Sequence, residues 1–149
     1  MKILIVDDEA PARDRLTHML GSIDDVSSTG EATNGIEAVE MVQSLRPDVV
    51  LMDIRMPGMD GLEAARHLTE MDEPPAIIFT TAYSEHALEA FDTSAVGYLV
   101  KPVRQEKLET SIGKFCRKTG TTRRFIRRSR QRTRSRPCAS FVRSPWIER

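Results

Sequence analysis

Four short apolar runs, ILIV (3–6), VVLM (49–52), AIIF (76–79) and VGYLV (96–100), punctuate the chain, and each is continuous rather than alternating. A strand that is apolar on both faces must be covered on both, which is the condition of a parallel sheet lying between helices. A weaker strand signal, VSSTGEA, lies at 26–32. The stretches between these runs have helical spacing. Ala12, Leu16, Met19 and Leu20 share a face and Gly21 follows as a stop signal; Ile36, Val39, Val42 and Leu45 share another, opened by Asn34-Gly35 and closed by Pro47. Leu62, Ala65 and Leu68 mark a third helix, Ala87, Leu88 and Phe91 a short fourth, and Leu108, Ile112 and Phe115 a fifth. Each helix has one apolar face to lay on a sheet. Parallel neighbours need crossovers, and crossovers are right-handed, so five strands alternating with five helices predict a doubly wound (βα)5 α/β domain.

Ligand chemistry in such a sheet falls at the carboxyl ends of the strands, near a topological switch point. That rule selects the residues to examine. Strand one runs into Asp7-Asp8-Glu9, strand three into Asp53, strand four into Thr80-Thr81-Ala82 and strand five into Lys101-Pro102. Carboxylates crowded together repel unless a cation joins them, and an all-oxygen set of this kind suits Mg²⁺. A lysine offers a mobile positive point charge and a threonine a small donor. Singly, each position has an ordinary explanation: Asp8 could cap the helix that begins near Pro11, and aspartate before a turn is common. Four such positions at the ends of four separate strands are harder to explain that way.

The stretches ILIVDDE, VVLMDIRMPGMDGLE, IIFTTAYSE and AVGYLVKPV make residues 1–115 resemble the receiver domain of two-component response regulators, a sheet of flavodoxin/CheY-like order. PARDRL, GEATNGIEA and GYLVKPV are closest in character to the LytR-type DNA-binding regulators. The resemblance implies that Asp53 is phosphorylated by a sensor histidine kinase. It implies that Asp7, Asp8, Asp53 and the backbone carbonyl of Arg55 hold Mg²⁺, that Thr81 is the switch hydroxyl and that Lys101 contacts the phosphoryl group. Tyr98 is then the switch aromatic, the Lys101–Pro102 peptide is cis, and phosphorylation alters the surface formed by the last two helices and the fifth strand, where family analogy suggests a homodimer through the fourth and fifth helices. A receiver of this type catalyses only its own phosphorylation and turns over no separate substrate. A Mg²⁺-dependent hydrolase of the haloacid type also uses an aspartate nucleophile, but it wants a second aspartate two positions on, where Arg55 stands.

Pro57 and Gly58 suit a sharp turn directly after Asp53, through proline's fixed φ and glycine's freedom. His18, His67 and His86 share no face, and Cys116 and Cys138 lack any metal-ligand spacing, so they read as free thiols. No apolar run approaches the roughly 18 residues of a membrane span. The start, MKILIVDDEA, meets acids too soon for a secretory signal, and the expected location is the cytoplasm.

Charge divides the chain. Residues 1–111 carry 9 Lys+Arg against 21 Asp+Glu, and residues 112–149 carry 13 against one. The expected division is a receiver domain over 1–118 and an arginine-rich tail over 119–149 with no fold of its own, since few aliphatics remain to build a core. Lysine disappears after Lys118 while ten arginines follow. A LytR-type chain continues into a β-rich DNA-binding domain, and the tail shows no alternating strand pattern. The preferred reading is a truncated or out-of-frame continuation of G+C-rich coding sequence. The competing one is a basic arm that binds DNA through its phosphates.

Overall fold

The computed structural model describes residues 1–82 and 95–119. In chain order the elements are β1 (Lys2–Val6), α1 (Ala10–Gly21), β2 (Ser27–Ala32), α2 (Gly35–Leu45), β3 (Val49–Asp53), α3 (Gly61–Thr69), β4 (Ala76–Thr81), β5 (Gly97–Val100) and α4 (Gln105–Thr119). The short helix expected around Ala87, Leu88 and Phe91, His86, Cys138 and the tail from residue 120 lie outside the described residues.

All five strands are parallel, in the order β2-β1-β3-β4-β5. The chain leaves β1 for β2 on one side and returns to β3 on the other, so the winding direction reverses between β1 and β3. That gap is the topological switch point. Side chains alternate along each strand, and the two sets belong to two cores. Leu4, Val6, Val50, Met52, Ile77 and Phe79 pack with Ala38, Val42, Ala64, Ala65 and Leu68 of α2 and α3. Ile3, Ile5, Val49, Leu51, Ile78 and Leu99 pack with Leu16, Met19, Leu20, Leu108 and Ile112 of α1 and α4. The sheet is thus covered on both faces, as the unbroken apolar runs require.

Two expectations need correction. Ile36 is 55% exposed, so it is not on the buried face of α2. The Gly35 amide donates to the Met59 carbonyl at 3.1 Å, and a Cβ on Gly35 would meet Met59 atoms at 2.7 Å. Gly35 therefore faces inward with Ala38 and Val42, and its neighbour is turned about 100° away. Val100 is 48% exposed because β5 is the edge strand of the described sheet, where a continuous apolar run does not mean burial on both faces. The other edge, β2, is SSTGEA with only Ala32 buried, which is why its sequence signal is weak.

Helix starts are set by side chains. Asn34 Oδ1 accepts from the Glu37 amide at 2.9 Å, and Glu37 in return accepts from the Thr33 amide and hydroxyl at 2.8 Å, holding its carboxyl below the ordinary glutamate value. Asp60 caps α3 by accepting from the Glu63 amide at 2.8 Å. By contrast α1 begins after Glu9 with no side-chain capping bond, so Asp8 does not serve as its cap.

Candidate functional site

Three of the residues singled out above meet at the switch point. Asp7 follows β1 and is fully buried, Asp53 ends β3 and is 5% exposed, and Asp8 is exposed at their rim. A carboxylate oxygen from each lies within 4.8 Å of the others. Lys101, just past β5, joins them from the far side: its Nζ is 2.7 Å from Asp7 Oδ2 and 3.3 Å from Asp53 Oδ2.

The two buried acids are held from behind. Asp7 is anchored by its own amide on the Ala32 carbonyl at 3.1 Å, and its Oδ1 accepts the Glu9 amide at 2.9 Å. The Asp53 main chain is clamped on both sides. The Ile54 amide donates to the Thr80 carbonyl at 3.2 Å, and the Gly61 amide donates to the Ile54 carbonyl at 2.9 Å. A side chain at Gly61 would collide with the Asp53 carbonyl, so α3 starts against the acidic strand end only because residue 61 is glycine. Gly58, at φ +77, supplies the left-handed turn between them.

Burial is the largest influence on Asp53. Against the opposing pull of Lys101, and helped by the Asp7 and Asp8 charges, it raises the carboxyl from 3.8 to about 6. For Lys101, burial alone would lower the ammonium, but the hydrogen bond to Asp7 and the charges of Asp53 and Asp7 carry it above the ordinary lysine value. Excess negative charge crowded at a rim is the condition that a divalent cation relieves, and the donor set is all oxygen. The residues present therefore fit a hard cation such as Mg²⁺.

The remaining expected site residues stand nearby with different orientations. Thr81 ends β4 and is fully buried, and its carbonyl accepts the Lys101 amide at 2.7 Å. By strand alternation it belongs to the same side of the sheet as Phe79 and Tyr98. Tyr98, opposite Phe79 in the β4–β5 register, is half-buried against the core on that side and outside the carboxylate group. The Lys101–Pro102 peptide is cis, with Pro102 exposed. Arg55 is exposed, two residues past Asp53, and with Asp8, Met56, Pro57 and Gly58 it lines a surface depression of about 590 Å³.

Arg13 carries a role that the sequence reading missed. Its Nη1 donates to the Asp7 carbonyl at 2.8 Å while its Nε pairs with Glu31 at 3.2 Å, and Thr17 donates to the same Glu31 at 2.9 Å. It thus ties the first acid to α1 and to the end of β2. A signal for it existed: a cation near the start of a helix opposes the helix dipole and needs a local acceptor to be tolerated there.

An acidic pocket with an opposing lysine, at the switch point of a doubly wound parallel sheet, defines a class of phosphate- or cation-handling α/β domain. The chain belongs to the response regulator receiver family: the model described as response regulator receiver domain matches residues 3–113. It is 54% identical over 118 residues to the positive alginate biosynthesis regulatory protein of Pseudomonas aeruginosa, covering 78% of this chain and 48% of that one. It is 40% identical over 115 residues to the transcriptional regulatory protein BtsR of Escherichia coli, covering 77% and 48%. Against the sensory transduction protein LytT of Bacillus subtilis the identity is 37% over 115 residues, with 77% and 48% covered. The chain thus spans about half the length of the curated relatives it matches. Among solved structures, the response regulatory domain of protein mrkE from Klebsiella pneumoniae superposes with a TM-score of 0.74 at 28% identity, covering 82% of this chain and all of that one. Among the described residues, no helix is long and apolar enough to cross a membrane.

Proposed function

We propose that this chain takes a phosphoryl group from a sensor histidine kinase onto Asp53 and converts that event into a changed protein-interaction surface in transcription regulation. The observation that carries the proposal is the Lys101 ammonium lying 2.7 Å from one buried acid and 3.3 Å from the other, with Asp8 at the open side. In the transfer an Asp53 oxygen attacks phosphorus, the bond from phosphorus to the kinase imidazole breaks, and the imidazole leaves with that electron pair. The receiver contributes position and charge neutralisation, which dominate phosphoryl transfer. Lys101 offsets the charge that accumulates on the phosphoryl oxygens, and the buried walls around Asp53 limit access of water. Mg²⁺ held by Asp7, Asp8, Asp53 and the Arg55 carbonyl would supply further charge neutralisation at the acidic rim. Uptake of one phosphoryl group per chain from a small phosphodonor in the presence of Mg²⁺ tests the reading, and its absence refutes it.

The acyl phosphate brings roughly −1.5 to −2 charges and three acceptor oxygens. Those oxygens draw on Thr81 and Lys101, and because Thr81 and Tyr98 leave the sheet on one face, movement of Thr81 opens space for Tyr98. Driving a two-state equilibrium from 1:99 to 99:1 takes about 5.5 kcal/mol, within reach of a few charge-assisted hydrogen bonds of about 1.5–3 kcal/mol each. The output surface then includes Val100 on β5 and the exposed side of α4, where a homodimer would form. Transcription regulation rests on the relatives, whose names include a transcriptional regulatory protein, and a cytoplasmic location is what a receiver domain implies.

Arg13 sets the next expectation. Arg13→Gln is expected to weaken Mg²⁺ binding about tenfold, in line with the loss of other supporting groups behind metal ligands. Titration of Mg²⁺ by calorimetry measures it; unchanged affinity would mean that Ala32, Glu9 and Lys101 position Asp7 without Arg13.

The charge division favours a second reading, in which residues 120–149 form an arm that binds DNA directly and without sequence preference. DNA binding that weakens with salt and disappears on deleting 120–149 decides for it.

A further inference from the structure

Thr80 is 1% exposed, and its hydroxyl finds no hydrogen-bond partner among the described residues. A buried hydroxyl without a partner is less stable than a methyl group of the same size in its place, so the oxygen needs a reason. Its location supplies one. Thr80 is the β4 residue paired with Asp53 on one side and with Leu99 on the other. By alternation it leaves the sheet on the face shared by Asp53, Ile78 and Leu99. Lys101 starts from β5 and yet places its Nζ against Asp53 of β3 and Asp7 beyond β1. Neighbouring strands are about 4.8 Å apart, so the lysine has to reach over the end of β4 toward Asp53, and Thr80 is the β4 residue level with Asp53 on that face. The ammonium has three N–H donors, and two of them point to the acids.

We propose that Thr80 is a positioning residue for Lys101: its hydroxyl accepts an ammonium N–H when Lys101 leaves Asp7 to meet an anionic group carried on Asp53. In the anion-free state the hydroxyl, level with Asp53, has no partner among the described residues. With an anion on Asp53, the ammonium withdraws from β1 toward β3 and β4, and Thr80 holds it there. The proposal rests on Asp53 as the anion-bearing residue.

Beryllofluoride with Mg²⁺, a stable stand-in for the phosphoryl group, tests it on the full chain. Thr80→Val keeps the shape and removes the oxygen; Thr80→Ser keeps the oxygen. In the absence of beryllofluoride, Thr80→Val is expected to melt at or above the wild-type midpoint, since no bond is lost. Its beryllofluoride affinity is expected to fall about tenfold, with Thr80→Ser within about twofold of wild type. Equal affinity in wild type and Thr80→Val overturns the role of the hydroxyl, and so does a Thr80→Ser variant as weak as Thr80→Val. A wild-type chain that binds no beryllofluoride overturns the assignment of Asp53 and this inference together, which separates the two failures.

Discussion

Asp53→Asn is expected to take up no measurable phosphoryl group from acetyl phosphate and Mg²⁺, under conditions in which the wild-type chain takes up one. An amide oxygen carries no formal charge and is a poor nucleophile toward phosphorus, and no other side chain occupies the same place. Asp7 is fully buried with one oxygen bonded to the Glu9 amide and the other to Lys101. Asp8 is exposed, whereas the other two acids lie 2.7 and 3.3 Å from the Lys101 ammonium. Asparagine nearly matches aspartate in shape, so the clamp made by Ile54, Thr80 and Gly61 around residue 53 should persist and the variant should fold. Labelled phosphoryl incorporation followed by gel separation reads the result directly. Incorporation at the wild-type level would place the acceptor on another carboxylate and remove the basis for the switch through Thr81 and Lys101.

The parts of this fold that were legible in the sequence are those where burial leaves no choice. β1, β3 and β4 lie inside the sheet with both faces covered, so their apolar runs mark them within a residue or two. The acids, Thr81 and Lys101 were legible because the strands end there and the sheet geometry collects strand ends. Edges were harder: β2 shows little apolar content, and the run at β5 includes Val100, which is half exposed. Ile36 was placed on the wrong face because helical periodicity does not reveal the backbone contact between Gly35 and Met59 that rotates α2. Arg13 and Thr80 were missed for a related reason. Each depends on a neighbour brought in by tertiary structure: the helix dipole says that Arg13 needs an acceptor but not that it is the Asp7 carbonyl, and nothing local places Thr80 level with Asp53.

The same asparagine should make the metal-free protein more stable at neutral pH. With the Asp53 carboxyl raised from 3.8 to about 6, the folded chain binds more protons than the unfolded chain between those values. Stability therefore falls as pH rises through that window and stays at the lower level above it. Each pKa unit is worth about 1.36 kcal/mol, so the ionised carboxylate costs the fold up to about 3 kcal/mol at pH 7.5. Asparagine, neutral and nearly the same shape, removes that cost, which is already net of the attraction to Lys101, so the gain is up to about 3 kcal/mol. Lys101 retains its 2.7 Å bond to Asp7 in the variant, so the ammonium is not left unpaired. Denaturant unfolding in a chelator should show the gap at pH 7.5 and little of it at pH 3, where aspartate in both states is largely protonated. Added Mg²⁺ should stabilise the wild type more than the variant and narrow the gap, because a ligand that binds only the folded state stabilises it by mass action. If Asp53→Asn is the less stable protein at pH 7.5 in chelator, the lysine bond outweighs burial and Asp53 is not held at a cost. A gap that Mg²⁺ leaves unchanged would instead place the cation away from Asp53.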